Sequence, residues 1–273
     1  MNDRRVARPP LGRRFLGVPW LWATAHSSIA FSIYYALGVV ADHGLGLTPF
    51  IFGFAGLVYV VTTMTYVEGG AMFNERGGSN TFARHAFNEL VSFVAGWAIL
   101  IDYVIVIALV AITIPHYLVP ISAELGTGTW EVAIALAVIA AIAGLNVYGY
   151  TGRSRQGLLV GMTVADLALQ ALLIVVGLAV VWDPGALTAE LDLFASPGVE
   201  DIAYALVISM VALAGIEAAS NLAPDLAWRS QDLRNVLRAG GVVVPFVYVG
   251  MSLVALMGLP VVDGPDGPQT ALA

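Results

Sequence analysis

Apolar residues run in seven long stretches along the chain, separated by short segments rich in turn formers and charge. The stretches cover residues 17–40, 48–66, 89–118, 131–150, 158–182, 201–223 and 239–259. A helix needs about 20 mostly apolar residues to cross a hydrocarbon core about 30 Å thick, and each stretch meets that length. The connectors read as turns: Asp42-His43-Gly44, residues 74–80, Gly126-Thr127-Gly128, residues 151–156, Asp183-Pro184-Gly185 and residues 224–235. The pattern predicts an all-α integral membrane protein.

Composition agrees. The 273 residues are 59% hydrophobic and 11% charged, against about 25% charged in an ordinary soluble domain. So little polar surface does not cover a water-soluble globule. A balance of 12 basic against 19 acidic residues, with no basic patch, argues against a nucleic-acid partner. The chain has no cysteine, which excludes disulfides, thiolate catalysis and Cys-ligated metals. It also has no lysine, so retinal and pyridoxal Schiff bases are excluded. Four scattered histidines speak against a metal site, and no cofactor is expected.

Every basic residue is an arginine, and their positions predict orientation. Arg4, Arg5, Arg8, Arg13 and Arg14 precede the first span. Arg76 and Arg84 follow the second, Arg153 and Arg155 the fourth, and Arg229, Arg234 and Arg238 the sixth. With seven alternating spans all of them fall on one side, and basic loops mark the cytoplasm. The N-terminus is therefore expected inside the cell membrane, and the acid-bearing connectors outside. Arg13-Arg14-Phe15-Leu16 has the look of an export signal, but the apolar run that follows is too long and six further spans come after it. A rhodopsin-type bundle would reverse the orientation.

Ionisable side chains inside a bilayer are costly and are default candidates for function. Asp102, Asp166 and Glu217 lie within spans that contain no basic residue. Each must be protonated, hydrogen-bonded, hydrated or paired with a mobile cation. The bland alternative is a hydrogen bond to a neighbouring helix, which for Asp166 points to Ser27 or Ser28. Small residues at Ser27-Ser28-Ile29-Ala30-Phe31-Ser32 and Ala212-Leu213-Ala214-Gly215 suit close helix packing as well as helices that unwind around a ligand. His26, in the first span, reads as a hydrogen-bonded helix partner.

At these residues the chain resembles the amino acid–polyamine–organocation (APC) permease superfamily from about Arg14 to Leu259. The features occur in the family's order: Tyr34-Tyr35-Ala36-Leu37-Gly38 after the first-span break, Thr65-Tyr66-Val67-Glu68 leading to Gly77-Gly78, and Gly96-Trp97 with Asp102-Tyr103. They continue with Asn146-Val147-Tyr148-Gly149, then Gly215-Ile216-Glu217 and Asn221-Leu222-Ala223-Pro224-Asp225. The resemblance implies a leucine-transporter-like fold of two inverted five-helix repeats. Residues 1–16 would be a cytoplasmic tail, 17–182 the first repeat and 183–200 an external loop. Residues 201–259 would be the first two helices of the second repeat, and 260–273 an external tail that reads as truncated.

The resemblance further implies a secondary transporter of an amino acid or related amine, working by alternating access, with protons favoured over sodium as coupling ion and membrane lipid around it. Its substrate would lie at the two helix breaks, on Ser28, Ile29, Ala30, Phe31 and Ser32 of the first span and Leu213, Ala214, Gly215 and Glu217 of the sixth. Asp166, where some proton-coupled relatives carry a lysine, and Asp102 are the candidate ion-coupling residues. The chain departs from the family at Ala30-Phe31-Ser32, which replaces a Gly-x-Gly break, and at Leu213, near where a bulky aromatic is usual. The competing readings are an inactive permease fragment and a non-transporting, receptor-like membrane protein. An intramembrane enzyme finds no nucleophile–base pair in the sequence.

Overall fold

The computed structural model describes residues 22–23, 26–27, 29, 31–73, 78–147, 153–188, 197–213, 215, 230–259, 262–264 and 267–269. The elements in chain order are α1 (Ile33–Gly44), α2 (Thr48–Met72), α3 (Ser79–Ala86), α4 (Glu89–His116), α5 (Gly128–Val147), α6 (Arg153–Val180), α7 (Val199–Ala212) and α8 (Ser230–Gly258). A hairpin of β1 (Val262–Gly264) and β2 (Gly267–Gln269) follows, antiparallel with Val262 opposite Gln269. The expected tail thus carries a small hairpin in a chain that is otherwise helical among the described residues.

Each of the seven predicted spans meets a helix. Five runs among the described residues are long and apolar enough to cross a membrane: Ile33–Gly69, Glu89–His116, Gly128–Val147, Gly157–Val180 and Gly240–Gly258. The first holds two predicted spans, α1 and α2, divided by a 3-10 turn at Leu45–Leu47. The sixth span falls short of such a length because the helix described there, α7, stops after 14 residues. That early stop bears on the site.

Local chemistry fixes the ends. Leu45 turns the chain at φ 45, and the Thr48 hydroxyl donates to the Leu45 carbonyl at 2.7 Å. Pro49 then occupies the first turn of α2, where its missing N–H costs nothing. Asn88 caps α4, its side-chain oxygen accepting from the Val91 N–H at 3.0 Å. At the start of α7, the Asp201 carboxylate reaches back to the Gly198 N–H at 3.3 Å.

The chain divides into two compact units. One, residues 79–155, holds α3, α4 and α5. Within it the Ser92 hydroxyl donates to the backbone carbonyl of Asn80 at 3.0 Å and also meets its side-chain oxygen, fastening the short helix α3 to α4. The outer faces of α4 carry Phe93, Trp97, Leu100 and Ile101 in the open, an arrangement stable in lipid, where apolar surface needs no burial.

The other unit, residues 1–78 and 156–273, packs α1, α2, α7 and α8 around a core of Ile29, Ile33, Phe52, Val244 and Tyr248. Here α2 and α8 approach closely. A Cβ on Gly56 would lie 2.7 Å from the Pro245 Cβ, whereas one on Gly53 would meet Val249 at an ordinary 3.8 Å. Gly56→Ala is therefore expected to destabilise by about 1–3 kcal/mol through overpacking, and Gly53→Ala to be nearly neutral. Thermal unfolding of the two purified variants tests this, and equal midpoints would refute the close approach.

Candidate functional site

The first span is interrupted where the sequence suggested. Residue 29 is helical, Phe31 and Ser32 form a turn, and α1 starts at Ile33. The Ser32 N–H donates to the Ile29 carbonyl at 3.0 Å, and the Tyr35 and Ala36 N–H groups both reach back to the Ser32 carbonyl. This tight pattern displaces the regular ladder for one turn. Ile29 and Ser32 are buried. Ser28 and Ala30 lie outside the described residues.

The sixth span stops at Ala212. The Leu213 N–H still donates to the Ser209 and Met210 carbonyls, but Gly215 adopts φ 127, in a region L-residues with side chains rarely enter. A helix cannot run through that backbone. Leu213 and Gly215 are buried, while Ala214 and Glu217 lie outside the described residues.

One side chain brings the two interruptions together. Tyr248 of α8, fully buried, directs its hydroxyl to the Ile29 carbonyl at 2.7 Å and lies 3.3 Å from the Ala212 carbonyl. Its ring packs edge-on against Phe52 of α2, with centroids 5.1 Å apart. The single phenolic proton is centred on Ile29, with Ala212 as the longer second acceptor. Tyr248 was not among the candidate residues in the sequence. A tyrosine amid Val243-Val244-Pro245-Phe246-Val247 was nonetheless a readable signal, since a hydroxyl buried in apolar surroundings requires a partner.

A second polar cluster joins α1 to α6. The Tyr34 hydroxyl donates to Asp166 Oδ1 at 2.5 Å, and the buried Gln170 amide donates to Asp166 Oδ2 at 3.0 Å. Gln170 Nε2 is also 3.4 Å from the Tyr34 oxygen. The hydroxyl partner expected for Asp166 was Ser27 or Ser28; the structure supplies Tyr34, about two turns further along the first span, together with Gln170. Gln170 follows Asp166 by four residues, the spacing that stacks side chains on one helix face. Asp102 stands apart: it lies partly exposed on α4, in the other unit, with no hydrogen-bond or ion-pair partner among the described residues.

His26 departs from expectation. It is buried and stacks flat on Trp22, with centroids 5.1 Å apart and an interplanar angle of 9°. Neither ring nitrogen has a hydrogen-bond partner among the described residues, so the expected helix partner is not found there. A buried donor or acceptor left unmade costs about 1–3 kcal/mol. Elsewhere in this unit, His43 near the end of α1 meets Asp201 of α7 at 3.3 Å and packs on Tyr204, so the C-terminal part of α1 and the N-terminal part of α7 are joined by side chains as well as by the core.

The geometry offers two helix ends of opposite polarity at buried interruptions, tied by one hydroxyl, and a carboxyl group held by neutral donors in the same unit. In comparison with known proteins, the chain matches the family described as amino acid permease over residues 17–264. No curated protein and no solved structure matches the chain.

Proposed function

The chain belongs to the amino acid permease family, a multi-pass membrane transporter family, and from that premise we propose that it is a secondary active transporter carrying an amino acid or related amine into the cell by alternating access, coupled to protons. In this reading residues 17–182 form the first five-helix repeat, 183–200 the external loop, and 201–259 the opening of the second repeat. The observation that carries it is the meeting of two interrupted helices at Tyr248. Helix N-termini present free N–H groups that favour anions, and helix C-termini present free carbonyls that favour cations. The Ser32, Tyr34, Tyr35 and Ala36 N–H groups at the start of α1 already have backbone acceptors, so a substrate carboxylate there would be drawn chiefly by the helix dipole, with Ser28, Ile29, Ala30, Phe31 and Ser32 around it. The end of α7 suits an ammonium, with Leu213, Ala214, Gly215 and Glu217 as its surroundings. A zwitterion satisfies both ends at once; a monoamine satisfies one.

Asp166 is the proposed coupling residue. It is bound by donors from α1 and from its own helix, and no cation neutralises it among the described residues. Gaining a proton removes its charge, and the Tyr34 bond transmits that change to the half-helix beside the substrate. Asp102 is kept as a second ion-coupling candidate on its sequence position alone.

Uptake of labelled amino acids into intact cells tests the reading, with topology measured in the same cells. Saturable uptake that collapses when a protonophore is added is expected. An impermeant thiol reagent should modify Thr188→Cys and spare His85→Cys, since all twelve arginines fall on the side opposite Thr188. Absence of uptake from a folded, correctly oriented chain would favour the readings as an inactive permease fragment or a non-transporting, receptor-like protein. Reversed labelling would overturn the orientation.

A further inference from the structure

We propose that His26 is a proton-binding site in the N-terminal half of the broken first span, buried in the conformation described and hydrated in a second one, so that proton binding shifts the balance between the two. The ring is 2% exposed, and neither nitrogen has a partner among the described residues. An imidazole left in this state loses the hydrogen bonds it makes in water, so a conformation that lets water reach it is favoured at this residue. An imidazolium would raise the stakes, because a buried charge without a counter-charge is far costlier than a buried neutral ring.

Among the described residues no counter-charge meets the ring. The titratable side chains described on the elements that meet the first span are Tyr59, Tyr66 and Glu68 on α2, Asp166 on α6, Glu200, Asp201 and Tyr204 on α7, and Tyr248 on α8. None hydrogen-bonds or ion-pairs with the His26 ring. Asp201 is engaged by His43, and Tyr248 by the carbonyls of Ile29 and Ala212. Trp22 alone offers something to a cation, since the face of an indole attracts positive charge.

The proton comes from water, forming an N–H bond at the ring lone pair, and returns to water when that bond breaks. Nothing is oxidised or reduced. Histidine titrates in the range where cells maintain pH differences, about pH 5 to 8. A group whose proton affinity differs between two conformations makes their ratio depend on pH. Low pH therefore favours the hydrated conformation.

That a second conformation exists rests on the alternating-access reading, and the test measures conformation without transport. Ala23 is fully buried three residues before His26, on the same helix face, and the chain has no native cysteine. Ala23→Cys is introduced into the full chain in nanodiscs. Its reactivity toward a small thiol reagent at pH 5 and pH 8 is divided by that of the denatured chain, which removes the pH dependence of the thiol itself. The expected ratio is on the order of tenfold higher at pH 5. Adding His26→Phe, which keeps a flat ring on Trp22, or His26→Gln, which keeps hydrogen bonding without titration, should flatten the ratio. A ratio near one in Ala23→Cys, or an unchanged ratio in both double variants, overturns the proposal. A ratio flattened by Phe and kept by Gln assigns the effect to hydrogen bonding and also overturns it. Uptake without the pH response would refute this inference alone, whereas the pH response without uptake would refute the transport reading.

Discussion

Asp166→Asn is expected to leave substrate exchange intact while abolishing accumulation against a gradient. Asparagine keeps the shape of the side chain and an oxygen to accept from the Tyr34 hydroxyl. The Gln170 amide can turn to present its own oxygen to the new NH2 group. The hydrogen-bonded cluster between α1 and α6 therefore survives, and only the change of charge is lost. For one proton per substrate, each pH unit of gradient supports about a tenfold concentration ratio, about 1.4 kcal/mol. That leverage disappears when the residue no longer titrates. Vesicles loaded with unlabelled substrate measure exchange, and vesicles with an imposed pH gradient measure accumulation. If the variant accumulates substrate with unaltered pH dependence, Asp166 is a structural hydrogen-bond acceptor and coupling resides elsewhere.

Tyr248→Phe is expected to cut transport by about tenfold or more with the chain still folded. The variant fills the same volume and keeps the edge-on contact with Phe52. It removes one donor at the meeting point of the two interruptions. The Ile29 carbonyl retains the Ser32 N–H, but the link to the Ala212 carbonyl is gone. A buried acceptor left without its partner costs about 1–3 kcal/mol, and each 1.4 kcal/mol corresponds to about a factor of ten in rate. The loss should appear in both the maximal rate and the half-saturating concentration, because the hydroxyl holds the backbone that is proposed to grip the substrate. Elution as a single species from size exclusion, with unchanged helix content, would separate this from misfolding. Wild-type kinetics in Tyr248→Phe would show that the hydroxyl does not set the geometry of the breaks.

The same residues show how far the sequence could be read. The seven apolar stretches that meet helices were legible because membrane insertion acts on stretches of about 20 residues, a scale on which hydropathy averages out local detail. The interruption near Phe31–Ser32 and the stop before Gly215 were legible through the motif resemblance, since the small residues at mid-span suit close packing equally well. Asp166 stood out because a carboxylate in an apolar run has few bland explanations. Its partners did not. Tyr34 is 132 positions away from it, and nothing in the periodicity of either helix pairs the two.

His26 and Tyr248 mark the boundary more sharply. Both are polar residues in apolar spans, and the sequence treats them alike, as side chains that require partners. One finds two carbonyls from two different spans, and the other finds none among the described residues. Likewise Gly53 and Gly56 look equivalent on α2, yet Pro245 crowds only Gly56. The sequence by itself determined which stretches are apolar enough to lie in lipid and that they are helical, because this follows from the transfer of short segments out of water. Only the tertiary structure decided which polar groups meet, because hydrogen bonds act over about 3 Å, and which distant residues come within that range depends on how whole helices pack.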